Sequence, residues 1–294
     1  MLDFSQTFNL PKNKFSAVSI GEGMILDILL PSVLFLIAVA IIFLDAKFEK
    51  KVDSLLGGQE LRIGHVVLLV AAIGVMVTIL VFVPEIAMMV FFLFAYSTIL
   101  FLFTYLLAPK WYLAVPIPVL FIALYLSPYW KGNIYLFNFF AIIFAVCISV
   151  YMGSLFAWKT TAAFVALLTI MDIIQVLITG HMVTSFEKVI TLGLPVAVIL
   201  PTFPSKLPYP IALGLGDVFL FGLLSIQTTR KYGRNFGLAS IVSITVVFWL
   251  LQTILLNTGV ESFPATVLVI SGWLISLGVR YIYKSHMSPD IKTE

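Results

Sequence analysis

Residues 160–180, TTAAFVALLTIMDIIQVLITG, decide the fold class of this chain. About 20 consecutive, mostly apolar residues are enough for a helix to cross the hydrocarbon core of a bilayer. The stretch has that length, and its only charged residue is Asp172. We therefore predict a membrane-spanning helix that carries one acidic side chain inside it.

Apolar runs of similar length recur along the chain and predict an all-α, polytopic membrane protein with nine transmembrane helices. We expect one membrane domain over residues 22–284, with polar tails at 1–21 and 285–294. The segment 189–203 is too short and too rich in Gly and Pro to span, so we expect it to be extended or re-entrant. The predicted spans are 24–44, 64–83, 86–107, 111–127, 134–156, 160–180, 209–229, 236–256 and 263–283.

The composition excludes several classes of protein. Of the 294 residues, 61% are hydrophobic and 11% are charged, which is incompatible with a water-soluble enzyme. A net charge of +3 is too small to indicate nucleic acid as a partner. The single Cys147 cannot form an internal disulfide, and His65, His181 and His286 lie far apart. We therefore predict no metal site and no cofactor.

The distribution of Lys and Arg predicts the orientation, because cytoplasmic loops carry an excess of these residues. With nine spans, the N-terminal side holds five of the seventeen and the opposite side holds the other twelve. The sequence thus predicts a multi-pass protein of the cell membrane, with its N-terminus outside and its C-terminus in the cytoplasm.

Two of the fourteen acidic residues lie deep inside predicted spans. Most of the others fall in tails, loops or span ends, and Asp27 and Glu85 can reach the interface. Asp172 precedes the end of its span by eight residues, and Asp217 follows the start of the next by eight. Because consecutive spans run antiparallel, both carboxylates are expected about 12 Å below the same membrane face. An ionisable residue at that depth is a functional candidate by default.

A carboxylate pair at matching depth supports three interpretations. Two adjacent acids share a proton, so one can accept a proton from water while its protonated partner donates to a scissile carbonyl, as in aspartic proteases. The same pair could carry protons in a proton-coupled carrier or channel. It could also be structural, with both acids hydrogen-bonded to backbone or to Gln175.

Three motifs together resemble the presenilin and signal peptide peptidase family of intramembrane aspartic proteases, in particular its archaeal members. They are the string Gly214-Leu215-Gly216-Asp217, a second aspartate, Asp172, on the preceding span, and Pro264-Ala265 at the start of the ninth. The resemblance covers most of the chain. Two residues depart from the family pattern: Met171 replaces the tyrosine before the first aspartate, and Thr266 replaces the leucine of Pro-Ala-Leu. Prepilin peptidases also carry a Gly-x-Gly-Asp string, but theirs usually continues with a lysine where this chain has Phe219.

The resemblance implies a presenilin-like helical bundle and an intramembrane aspartyl endopeptidase with Asp172 and Asp217 as the catalytic pair. It further implies that Gly214, Leu215, Gly216, Pro264, Ala265 and Thr266 contribute to the substrate site. The expected substrates are transmembrane helices or remnant signal peptides in the lipid bilayer, with no obligatory accessory subunit. A family member that only binds helices remains an alternative, as does the proton-coupled carrier.

A spanning substrate hides its amide bonds in its own helical hydrogen bonds, so it must unwind locally before water can attack. The unwound stretch then needs new hydrogen-bond partners. We expect residues 194–203 and those leading to Gly214 to provide them by strand addition, which would place main-chain hydrogen bonds next to Asp217.

Overall fold

The structure is a computed structural model that describes residues 24–56, 60–130, 132–205, 207–260 and 262–287. Over these ranges the chain is mostly helical, and seven of its helices are long and apolar enough to cross a membrane. The fold is therefore that of a helical, multi-pass membrane protein. The predicted tail 1–21 lies outside the described residues, as does the C-terminal tail from residue 288 onward.

The secondary-structure elements follow the apolar runs closely. The helices are α1 (Leu29–Leu56), α2 (Ile63–Leu80), α3 (Glu85–Leu107), α4 (Trp111–Ala114), α5 (Pro116–Leu126), α6 (Ile134–Leu155), α7 (Trp158–Ile173), α8 (His181–Thr191), α9 (Leu215–Tyr232), α10 (Arg234–Thr258) and α11 (Ala265–Met287). A π-helical turn, Ile174–Ile178, follows α7 directly. Two strands, β1 (Ala197–Leu200) and β2 (Ile211–Gly214), lie between α8 and α9.

The predicted number of nine transmembrane helices is not confirmed. The fourth predicted span consists of the two short helices α4 and α5, because Pro116 cannot donate a backbone hydrogen bond to the preceding turn. The seventh contains α9, which has 18 residues and carries Asp217 near its start and Arg230 and Lys231 near its end. The α4–α5 stretch is shorter than the other seven helices, whereas α9 carries three charged residues within its 18-residue length.

The sheet confirms that the segment after α8 is extended, and it shows that the chain is not purely α-helical. β1 and β2 pair antiparallel, with Ala197 opposite Gly214 and Leu200 opposite Ile211. The predicted helix over 209–229 is therefore wrong at its start, since helical structure begins only at Leu215. Pro208 and Pro210 disfavour helix before β2, and pairing with β1 satisfies one edge of the strand's backbone in an apolar interior.

Polar contacts show which helix ends lie together. At one end of the bundle, Arg230 at the end of α9 bonds Asp45 of α1 at 2.7 Å and the carbonyl of Gly153 in α6 at 3.2 Å. We call this the Arg230 end. Asp45 lies beyond the predicted span 24–44, but α1 continues past it and leaves it only 5% exposed. The ion pair with Arg230 offsets part of the free-energy cost of burying the Asp45 carboxylate in the apolar bundle.

At the opposite end, the chain before α1 is joined to the end of α10. The side-chain amide of Asn257 accepts from the backbone N–H of Ile25 at 2.9 Å and donates to its carbonyl at 2.8 Å. Asp27 is buried rather than solvated, and accepts hydrogen bonds from the backbone N–H groups of Leu29 and Phe203 and from Gln252. We call this the Asp27 end.

Helix α6 lies near the centre of the bundle, whereas α2 and α3 are peripheral. Half of the apolar stretch of α6 is buried (50%), against 17% for α2 and for α3. Large apolar side chains such as Phe94 are correspondingly exposed on the peripheral helices. These outward faces suit contact with lipid, and the central position of α6 brings it against β1.

Helices α10 and α11 approach each other closely at Gly272. A Cβ atom placed on Gly272 of α11 would lie 2.5 Å from the Cα atom of Ile244 in α10, whereas one placed on Gly278, also in α11, would meet nothing within 4 Å. The absence of a side chain at Gly272 therefore sets the separation of the two helices, as in other membrane bundles.

We expect Gly272→Ala to destabilise the protein by about 1–3 kcal/mol, because the new methyl group overlaps backbone that cannot rotate away. Gly278→Ala is the matched control in the same helix and should not lower stability. Thermal unfolding of the purified proteins in detergent measures both. Equal midpoints for Gly272→Ala and the wild type would contradict this account of the α10–α11 contact.

Candidate active site

Asp172 lies in the last turn of α7 and is only 3% exposed. The helix does not continue regularly after it, because Ile174–Ile178 forms a π-helical turn and Gly180 then adopts a left-handed conformation with φ of +66°. π-helical turns inside longer helices occur frequently at functional sites. Asp172 thus lies where a spanning helix changes its geometry.

Asp217 is the third residue of α9 and is 9% exposed. β2 ends at Gly214 and α9 begins at Leu215, so Asp217 lies where the chain changes from strand to helix. The position differs from the sequence prediction, which placed it eight residues inside a helix. The unpaired N–H groups of a helix N-terminus favour a negatively charged group at this place.

The structure brings the two aspartates together. Helices α7 and α9 pack against each other, and the carboxylates of Asp172 and Asp217 lie within electrostatic reach of one another. Asp172 is 14 residues from Trp158 and Asp217 is 15 residues from Tyr232, both at the Arg230 end. At about 1.5 Å per residue, these separations are about 21 and 23 Å, so the depths match. In the part of the chain that the structure describes, neither carboxylate forms an ion pair with Lys or Arg.

The glycine motif leaves space beside Asp217. A Cβ atom on Gly214 would lie 3.4 Å from Oδ2 of Asp217, and one on Gly216 would meet nothing within 4 Å. Leu215 has a different role, since its backbone N–H donates to the carbonyl of Val196 at 2.9 Å and so joins the start of α9 to β1. The motif therefore combines an anchor at Leu215 with a glycine, Gly214, whose backbone lies close to the carboxylate of Asp217.

The third motif also reaches the site. Helix α11 begins at Ala265, immediately after Pro264, and it packs against α7 and α9. Thr266 is 4% exposed, and its hydroxyl donates a hydrogen bond of 2.6 Å to Oδ2 of Asp172. Sequence reasoning assigned Thr266 to the substrate site and noted its departure from the family pattern, but it did not predict this contact with Asp172.

Gln175 does not bond to the aspartates. Its side-chain amide donates to the carbonyl of Gly74 in α2 at 2.8 Å, and its Oε1 is buried without a hydrogen-bond partner. A buried acceptor of this kind requires a water molecule or another donor. Gln175 lies one turn beyond Asp172, so this buried acceptor is close to the candidate site.

One further polar residue, Asn138 of α6, was missed by sequence reasoning. Its amide donates to the carbonyl of Ile199 at 2.7 Å and accepts from the N–H of Ile199 at 2.8 Å, as a neighbouring strand would. The edge of β1 that faces away from β2 is thereby occupied at Ile199. An isolated Asn inside an apolar span was the signal that could have indicated it.

These bonds define which backbone groups of β2 are free. Successive residues of a strand direct their N–H and C=O groups to opposite edges. The backbone groups of Ile199 face Asn138, and the N–H of Leu215 bonds the carbonyl of Val196 on β1. In β2, the backbone groups of Leu213 therefore face β1, whereas those of Ala212 and Gly214 face away from it. Among the described residues, no backbone group bonds the N–H of Ala212 or Gly214.

The sequence matches no model of a known protein family. Comparison with curated proteins also gives no match. The resemblance to presenilins and signal peptide peptidases therefore depends on the motif residues alone.

Proposed function

We propose that the protein is an intramembrane aspartyl endopeptidase that hydrolyses peptide bonds within transmembrane segments or remnant signal peptides. One observation carries the proposal. Two buried carboxylates, Asp172 and Asp217, lie at matching depth on adjacent helices and within electrostatic reach of each other. A carboxylate pair with this burial suits acid–base chemistry on a peptide bond.

In the proposed reaction, the ionised carboxylate accepts a proton from a water molecule as the water oxygen attacks the scissile carbonyl carbon. The protonated carboxyl group donates its proton to the carbonyl oxygen, which gives a tetrahedral gem-diol. Transfer of a proton to the amide nitrogen then allows the C–N bond to break, releasing a new carboxyl terminus and a new amino terminus. The two aspartates exchange one proton in this sequence.

The free edge of β2 offers backbone hydrogen-bond donors that could hold a substrate. An unwound substrate strand can bond the outward N–H groups of Ala212 and Gly214, since the corresponding edge of β1 is occupied by Asn138 at Ile199. Gly214 lies beside Asp217, so a strand bound there would run past the carboxylate. Of the two segments considered from the sequence, β2 is therefore the better candidate.

We further propose that the chain crosses the cell membrane nine times, with α4–α5 and α9 completing the seven longer helices. The N-terminus would lie outside and the C-terminus in the cytoplasm, because eleven of the twelve Lys and Arg residues of the more basic side, all but Lys292, are described and lie toward the Arg230 end. The substrates and the lipid bilayer are the only partners that the activity requires, without an accessory subunit.

Asp172→Asn and Asp217→Asn should each lower cleavage by at least about a hundredfold, because either change removes one member of the acid–base pair. The assay incubates the purified full-length protein in detergent with a labelled spanning peptide and reads the product masses by mass spectrometry. Glu85→Gln, at an exposed carboxylate in the first turn of α3, is the matched control and should cleave normally.

Intact peptide with the wild-type protein, together with proton-driven flux across sealed vesicles, would instead support a carrier. Cleavage that persists in both aspartate variants would also contradict the proposal.

Ala212→Pro should lower cleavage by about tenfold or more, because it removes a backbone donor from the free edge of β2. Proline is tolerated on a strand whose N–H faces away from the sheet, so the fold should persist. Ala212→Val keeps the donor and is the matched control, and thermal unfolding verifies that both variants fold. Normal cleavage by a folded Ala212→Pro protein would exclude strand addition at this edge.

The proposed orientation can be tested with single cysteines on either side of α4–α5. After Cys147→Ser, Tyr129→Cys should react with a membrane-impermeant thiol reagent in intact cells, because this exposed position would lie outside. Lys110→Cys should react only after the membrane is opened. Reaction of both in intact cells would show that α4–α5 does not cross, and the reverse pattern would invert the orientation.

A further inference from the structure

The hydroxyl of Thr266 is not used within its own helix. Threonines inside the other helices, such as Thr98, Thr104 and Thr169, donate to the carbonyl four residues earlier. Thr266 is the second residue of α11, so no earlier helical turn offers it a carbonyl. Its hydroxyl donates instead to Asp172, 94 residues away, at 2.6 Å.

The start of α11 holds this hydroxyl in place. Pro264 is buried and restricts the backbone before the helix, and its carbonyl accepts from the N–H of Val267 at 3.1 Å. Six residues after Thr266, Gly272 fixes α11 against Ile244 of α10. The donor therefore belongs to a rigid part of the bundle, whereas Asp172 lies just before a π-helical turn.

A single fixed donor has two consequences for Asp172. Its Oδ2 is held, so the plane of the carboxyl group and the position of Oδ1 are also set. A hydrogen bond to a carboxylate is shorter and stronger than one between neutral groups, so the contact favours a defined orientation of the ionised side chain. Catalysis by a pair of acids depends on such alignment, because small displacements of reacting groups are costly.

We propose that Thr266 is a positioning residue that holds Asp172 in register with Asp217 for proton transfer. The inference rests on the proposed protease function. It gives Thr266 a chemical role that leucine, the residue of the family pattern, cannot have, since leucine has no donor.

The test compares Thr266→Val, Thr266→Ser and Ser271→Ala in the full-length protein with the spanning-peptide assay. Valine preserves the shape and removes the hydroxyl, so kcat should fall about tenfold with KM within about twofold of the wild type. Serine keeps the donor and should retain kcat within about threefold. Ser271 is the matched control in the same helix, because its hydroxyl bonds the carbonyl of Val267 at 2.7 Å. Its change to alanine should leave kcat unchanged.

Thr266→Ala provides a second variant without the hydroxyl if the valine protein does not fold, and thermal unfolding identifies the folded proteins. Wild-type kcat in a folded variant without the hydroxyl, or an equal loss in Thr266→Ser, would overturn the positioning role while leaving the protease function standing. A wild-type protein that cleaves no spanning peptide would overturn the protease function itself, and the positioning role with it.

Discussion

Inside hydrocarbon, every backbone N–H and C=O group must find a partner within the protein, and this constraint governs the centre of the bundle. The strands β1 and β2 between α8 and α9 are extended, so neither can satisfy its own backbone as a helix does. β1 therefore pairs with β2 and also with the side chain of Asn138, while Asp27 accepts from Phe203 just beyond the sheet. Among the described residues, the N–H groups of Ala212 and Gly214 on the outward edge of β2 are bonded by no other backbone group.

The candidate site is made from helix ends rather than helix middles. Asp172 lies at the end of α7, Asp217 near the start of α9 and Thr266 near the start of α11. Helix ends carry backbone groups without intrahelical partners, and their side chains can point along the helix axis toward neighbouring elements. This explains how residues from three helices converge in a region where regular helices would only pack side by side.

Contacts at the opposite end of the bundle keep these helix ends in register. Arg230 joins α9 to α1 and α6, while Lys231 of α9 lies over the ring of Trp158 at the start of α7, 3.8 Å from its centroid. Cation–π contacts of this kind add to the apolar packing of the helices. Because Asp172 and Asp217 lie nearly the same number of residues from the Arg230 end, the two carboxylates lie at the same depth.

The two departures from the family pattern have specific environments. Met171 packs against α2, where a Cβ atom on Gly74 would lie 3.0 Å from its sulfur atom. Methionine is flexible and fills irregular gaps of this kind well. Thr266 donates a hydrogen bond to Asp172. Both residues therefore adjoin Asp172, one as its chain neighbour and one across the α7–α11 contact.

The sequence by itself determined the membrane class, most of the helix positions and the two candidate aspartates, because apolar length and an isolated charge are local properties. It could not determine that 211–214 is a strand, since a short apolar run suits either secondary structure until a pairing partner is known. Nor could it predict the bonds of Asn138 to Ile199 or of Thr266 to Asp172. Those bonds join residues far apart in the chain, and only the packing of the helices decides which distant side chains meet.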